Sequence, residues 1–214
     1  MTGFRLPRFY PILDTRILAA VGIQPREAAH MLLDAGIKIL QYRHKAAWTQ
    51  TAFDEAADIA RMADTAGSLF VINDRVDYAK LLRTAVHLGM EDLSPFAARR
   101  VLGPDPVVGF STHNGHQLKD ADEEQVQYLA LGPIFSTASK ENPDPVVGLE
   151  RLQKWRRLTS KPVVAIGGIT LDNAEDVLKA GADSVAVISG YIPKDGGLMA
   201  LRESVSTWIK LTDS

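Results

Sequence analysis

IKILQYRHKAAWTQTAFDEAADIARMADTAGSLFVIND, residues 37–74, carries two strand patterns with a helix between them. Residues 37–43 and 69–73 are short runs rich in apolar and β-branched side chains, the signature of strands. Residues 49–66 repeat apolar side chains at helical spacing, with Thr49 placed to cap the first turn. Two strands joined through a helix of this length become parallel neighbours, with the helix covering the sheet.

The same unit repeats in both directions. Upstream, residues 8–14 (RFYPILD) read as a strand and residues 25–35 as a helix that Gly36 stops. Downstream, a helix reaches to about Leu82 and residues 85–88 form a fourth strand. A helix then opens at Ser94-Pro95, a serine cap with proline in the first turn. Residues 107–111 and 126–131 give strands five and six, with a helix from Asn114 between them. PVVAIGG (162–168) and residues 184–188 give strands seven and eight, and a last helix covers about 197–211. Eight strand–helix units in 214 residues predict a single-domain α/β fold over residues 1–214, a (β/α)₈ TIM barrel. An open doubly wound sheet is the competing layout.

Composition narrows the function. Hydrophobic residues at 46% fit a packed globular core, and 24 basic against 26 acidic residues give no electrostatic footprint for nucleic acid. With no cysteine, disulfides, thiolate metal sites and cysteine nucleophiles are excluded. The opening MTGFRLPRFYP has no apolar signal region, and no apolar run reaches membrane-spanning length, so a cytoplasmic setting without membrane contact is expected. The sequence allows a homo-oligomer and does not dictate one.

In this fold chemistry gathers at the C-terminal strand ends. Strand two ends in Gln41-Tyr42-Arg43-His44-Lys45, and alternation turns Gln41, Arg43 and Lys45 one way, a donor set suited to a polyanion or to a solvated strand end. Asp74 follows strand three and Asp92 follows strand four. Together they suggest a Mg²⁺ site bridging to a diphosphate, although Asp74 also stands where a helix cap would. Ser111 at the end of strand five could bond a heterocycle, whereas Asn114 reads as a cap. His87, His113 and His116 are not spaced as a metal cluster.

Strands seven and eight end in Gly167-Gly168 and Ile188-Ser189-Gly190, where backbone N–H groups can approach a phosphate. Between strands six and seven, residues 133–147 form a polar, proline-rich segment. It carries Thr137, Ser139 and Lys140 and is expected to be a mobile lid over phosphate. Two anion sites across one barrel mouth suggest the coupling of two phosphorylated molecules with loss of diphosphate.

QYRHK (41–45), INDRVDYA (72–79), HLGMED (87–92), GFSTHN (109–114), LGPIFSTASK (131–140), VVGLE (146–150), AIGGIT (165–170) and AVIS (186–189), in this order, resemble the thiamine-phosphate synthase family. The resemblance implies a transferase of thiamine biosynthesis. It would condense 4-amino-5-hydroxymethyl-2-methylpyrimidine diphosphate with 4-methyl-5-(2-hydroxyethyl)thiazole phosphate, with Mg²⁺ assisting departure of diphosphate. It further implies Asp74 and Asp92 as Mg²⁺ ligands, and Arg43, Lys45, Asn73 and Lys140 as diphosphate contacts. Gln41, His87 and Ser111 would line the pyrimidine pocket. Thr137, Ser139, Gly168, Ile188 and Ser189 would hold the thiazole phosphate. His44 and Met90 depart from the family's usual glutamate and glutamine, and Ser139 replaces a usual threonine while keeping a hydroxyl. Related barrels offer two other functions: a metal-independent thiazole tautomerase, and a non-catalytic binder of thiazole or thiamine phosphate.

Overall fold

The structure is a computed structural model that describes residues 5–137, 144–194 and 197–213. Eight parallel strands close into a barrel in sequence order: β1 (Phe9–Asp14), β2 (Ile39–Arg43), β3 (Leu69–Asn73), β4 (Ala85–Leu88), β5 (Val108–Thr112), β6 (Tyr128–Leu131), β7 (Val163–Ile166) and β8 (Ser184–Val187). β8 returns to β1 with Phe9 opposite Val185 and Pro11 opposite Val187, which excludes the open sheet. The outer helices are α1 (Thr15–Ala20), α2 (Pro25–Asp34), α3 (Gln50–Thr65), α4 (Val76–Leu82), α5 (Pro95–Leu102), α6 (Gly115–Asp120), α7 (Leu149–Trp155), α8 (Ala174–Lys179) and α9 (Leu198–Asp213). Among the described residues no helix is long and apolar enough to cross a membrane.

Strand alternation divides the core in two. Tyr10, Ile12, Ile39, Val71, Ala85, Tyr128, Ala130, Val164 and Ala186 fill the barrel interior. Phe9, Leu13, Leu40, Tyr42, Ile72, Val86, Leu88 and Leu131 face the helices and pack with their apolar stripes. Gln41, Asn73, His87 and Ser111 share the parity of Ile39, Val71, Ala85 and Gly109, so the interior layer nearest the mouth is polar.

The expected caps form. Thr49 Oγ1 accepts from the Ala52 N–H, Ser94 Oγ from Ala97, and Asn114 Oδ1 from Gln117. Strands two and six begin later than their composition suggested, at Ile39 and Tyr128, and β5 runs on to Thr112. The six-residue α1 was not anticipated. It exists because Asp14 Oδ1 accepts from both the Arg16 and Ile17 N–H groups. So short a helix depends on its cap more than on any apolar period.

Candidate active site

The barrel mouth between β2 and β4 is organised by carboxylates. β1 and β2 set Asp14 opposite Arg43, and Arg43 Nη1 donates to Asp14 Oδ2. Asp14 is 2% exposed and carries this ion pair on one oxygen and the α1 cap on the other. Lys45 Nζ donates to Asp74 Oδ2 at 2.5 Å. The strand-two end is therefore not the free cationic rim that alternation alone suggests. Each cation has a carboxylate partner, and for the mostly buried Arg43 a charge without one would be costly. His44 turns away, as expected, stacking on Tyr42 and bonding Thr15 Oγ1 at 3.0 Å.

Asp74 is not a helix cap. Its φ of 66° is left-handed, its N–H bonds the His87 carbonyl at 2.8 Å, and Arg75 occupies the cap position of α4. This turn brings Asp74 to the loop after β4, where its carboxylate meets Asp92. Asp92 Oδ2 also accepts the Gly89 N–H at 2.7 Å. Burial first, and then the Asp74 carboxylate, push the Asp92 carboxyl up to about 6. Two carboxylates brought this close together are a place for a hard metal ion. Beside them the amide Nδ2 of Asn73, a residue 7% exposed, has no hydrogen-bond partner among the described residues. An orphaned buried donor next to the mouth is a place for an anion's oxygen.

Across the barrel interior runs a chain of polar groups that the sequence did not disclose. Gln41 Nε2 donates to the Tyr10 hydroxyl at 2.9 Å, and the Tyr10 and Tyr128 hydroxyls lie 3.0 Å apart. The Tyr128 hydroxyl is 3.1 Å from His87 Nδ1, and His87 Nε2 is 2.9 Å from Ser111 Oγ. Gln41, His87 and Ser111 were foreseen at the site; Tyr10 and Tyr128 were not. The inward parity of β1 and β6 was the signal for them, since a buried tyrosine hydroxyl needs a partner.

On the opposite side, Gly167 and Gly168 have φ of 99° and 65°. A Cβ on Gly168 would lie 2.5 Å from the Ser136 carbonyl oxygen and 2.7 Å from Phe135 Cβ. Among the described residues the N–H groups of Gly168, Ser189 and Gly190 make no hydrogen bond within the protein, and Ser189 and Gly190 are exposed. Ile188 is half-buried at the same rim, and Thr137 is half-buried on the facing segment. Gly168→Ala is expected to destabilise the protein by about 1–3 kcal/mol, through strain at positive φ and overpacking. Chemical denaturation would measure the loss.

The segment 133–147, expected to be polar and mobile, is anchored at its described ends. Ile134 and Val147 are buried. Backbone bonds run from Val147 to the Pro133 carbonyl, from Gly148 to Ile134, and from Phe135 to Gly167. Ser139, Lys140, Asn142 and Pro143 lie outside the described residues. His113 is committed elsewhere: its Nδ1 bonds the Gly132 carbonyl at 2.7 Å and lies 3.4 Å from Asp144.

Residues 9–191, which include every strand and both sides of this mouth, match the thiamine monophosphate synthase family. The chain belongs to that family. It is an enzyme, and the family is one of transferases. A thiamine-phosphate synthase of Koribacter versatilis is 48% identical over 197 residues, spanning 89% of this chain and 92% of the relative. One from Caldicellulosiruptor saccharolyticus is 37% identical, spanning 79% of this chain and 77% of the relative. The solved structure of thiamine phosphate pyrophosphorylase from Pyrococcus furiosus superposes on this family member with a TM-score of 0.83 at 30% identity, covering 96% and 95% of the two chains.

Proposed function

We propose that the enzyme condenses 4-amino-5-hydroxymethyl-2-methylpyrimidine diphosphate with 4-methyl-5-(2-hydroxyethyl)thiazole phosphate to give thiamine phosphate and diphosphate. The observation that carries this reading is the meeting of Asp74 and Asp92 beside Lys45 and the unpartnered Asn73 amide. It lies across the mouth from the open backbone N–H groups of Gly168 and Ser189. One side suits a metal-bound diphosphate, and the other a monophosphate.

Asp74 and Asp92 would hold Mg²⁺. The pair fits that ion, which takes a few carboxylates and completes its shell with water and phosphate oxygens. When bound, it supplies positive charge where the leaving diphosphate gathers negative charge. Arg43, Lys45, the Asn73 amide and Lys140 would donate to the same oxygens as they become more basic. The bond between the pyrimidine methylene carbon and the diphosphate oxygen breaks, and its electron pair leaves with diphosphate. The thiazole nitrogen then forms the new C–N bond with its own lone pair, so no general base is needed. Gln41, His87 and Ser111 would orient the pyrimidine. Gly168, Ile188, Ser189, Thr137 and Ser139 would hold the thiazole phosphate. Closing of the segment around Lys140 would exclude water, which otherwise captures the cation. Two phosphorylated small molecules as substrates fit a cytoplasmic setting.

The test is diphosphate release with both substrates and MgCl₂. The reaction needs all three, and a protein that binds both substrates without releasing diphosphate refutes the proposal. The metal has a readout independent of turnover. MgCl₂ is expected to raise the unfolding midpoint of the wild type, by mass action on the folded state, and to leave Asp92→Asn unmoved. An equal shift in both proteins would remove Asp92 from the metal site.

A further inference from the structure

The chain of polar groups under the mouth has a direction. Tyr10 and Tyr128 are fully buried, and burial holds both phenols well above their ordinary pKa, so each keeps one proton to give. Gln41 Nε2 can only donate to the Tyr10 hydroxyl, and the Tyr128 oxygen, 3.0 Å away, is then the acceptor within reach of the Tyr10 proton. A Tyr128 hydroxyl that accepts from Tyr10 has His87 Nδ1, 3.1 Å away, to receive its own proton. A neutral imidazole that accepts at Nδ1 carries its proton on Nε2. Nε2 then donates to Ser111 Oγ, which leaves the Ser111 proton for an acceptor beyond the chain.

The packing reserves room for this arrangement. The Tyr128 ring lies parallel to the His87 ring, with centroids 5.5 Å apart and planes 15° apart. Its edge contact with Tyr10 has centroids at 6.0 Å. Gly109, paired with Tyr128 across β5 and β6, is what lets the ring lie there. A Cβ at Gly109 would stand 2.0 Å from Tyr128 Cζ and 2.4 Å from its hydroxyl.

We propose that Tyr128 is a positioning residue that sets His87 in its Nε2–H form and so makes Ser111 a hydrogen-bond donor, selecting substrates with a heteroaromatic ring nitrogen at that point. The selectivity half rests on the functional reading above; the polarity of the chain does not. Three predictions separate it from a merely structural role. In wild type, ¹⁵N spectra of labelled histidine should show His87 with the proton on Nε2 and a bare Nδ1. Tyr128→Phe keeps the ring and removes the hydroxyl. It should shift His87 toward a mixture of tautomers and raise KM for the pyrimidine diphosphate by about tenfold, the loss expected for one weakened neutral hydrogen bond. KM for the thiazole phosphate should stay unchanged. Tyr10→Phe removes the upstream donor only, and should leave His87 in the Nε2–H form.

An Nδ1–H form in wild type overturns the proposal, whether or not either variant folds. So does Tyr128→Phe with an unaltered tautomer, or with equal losses for both substrates. A protein that shows the Nε2–H form but releases no diphosphate from the substrate pair defeats the functional reading and leaves the polarity standing. An analogue with C–H in place of the ring nitrogen should bind poorly to wild type and lose no further affinity in Tyr128→Phe. A further loss there overturns the selectivity.

Discussion

Replacing Asp74 by alanine lowers kcat/KM for the pyrimidine diphosphate by on the order of 10³-fold, the scale for removing a group that stabilises charge in the transition state. The barrel stays folded. The substitution removes an ion pair whose lysine is 54% exposed, and such pairs add little. It also removes the carboxylate that crowds Asp92. Alanine tolerates the left-handed backbone at this position less well than aspartate, a cost of about 1 kcal/mol. Circular dichroism and a denaturant midpoint close to wild type, beside the lost turnover, are the expected pair of results. A variant that keeps more than about a tenth of wild-type activity would separate Asp74 from the chemistry.

The second large effect is on stability. Gly109→Ala places a methyl group inside the Tyr128 ring position, and neither neighbour can give way cheaply. Tyr128 is closed in by Tyr10 on one side and His87 on the other. Overpacking of this kind costs about 3 kcal/mol, and more if the ring is expelled and its hydroxyl is lost to His87 Nδ1. In a domain of this size that lowers the melting temperature by roughly 6–12 °C. Pairing Gly109→Ala with Tyr128→Phe should recover little, because the clash involves ring carbon Cζ as well as the hydroxyl. Full recovery in the double variant would show that the hydroxyl alone made the conflict.

What could be read in advance followed local rules. The period of two placed Gln41 and Arg43 on the inner face, and the boundaries of β3 and β4 lay where their apolar runs begin and end. Ser94, Thr49 and Asn114 were readable as caps because a cap acts within three residues. What could not be read depends on closure. Asp14 meets Arg43 only because β1 and β2 align in that register, 29 residues apart. Tyr10 and Tyr128 are 118 residues apart and meet through the barrel interior. A list of strand ends names the residues at the mouth and says nothing of their partners. It therefore overstated the free positive charge beside Arg43 and Lys45. The left-handed turn at Asp74 was hidden for a similar reason, since the bond that stabilises it comes from β4.

The seam between β1 and β8 has a consequence for how the chain is made. β1 leaves the ribosome before the other seven strands, yet one of its two partners is the last of them. The outer face of that seam is completed by α9, whose Trp208 stacks on Phe9 at 5.0 Å and donates to the Gly190 carbonyl. Until both have emerged, every growing intermediate carries two unpaired strand edges and an uncovered phenylalanine. Such edges invite pairing with other chains. Slow translation or truncation ahead of α9 would thus be felt as aggregation in the cell, before any loss of catalytic groups. The Ser189–Gly190 turn, tied to Trp208 through one carbonyl, would be among the last parts of the molecule to take shape during synthesis.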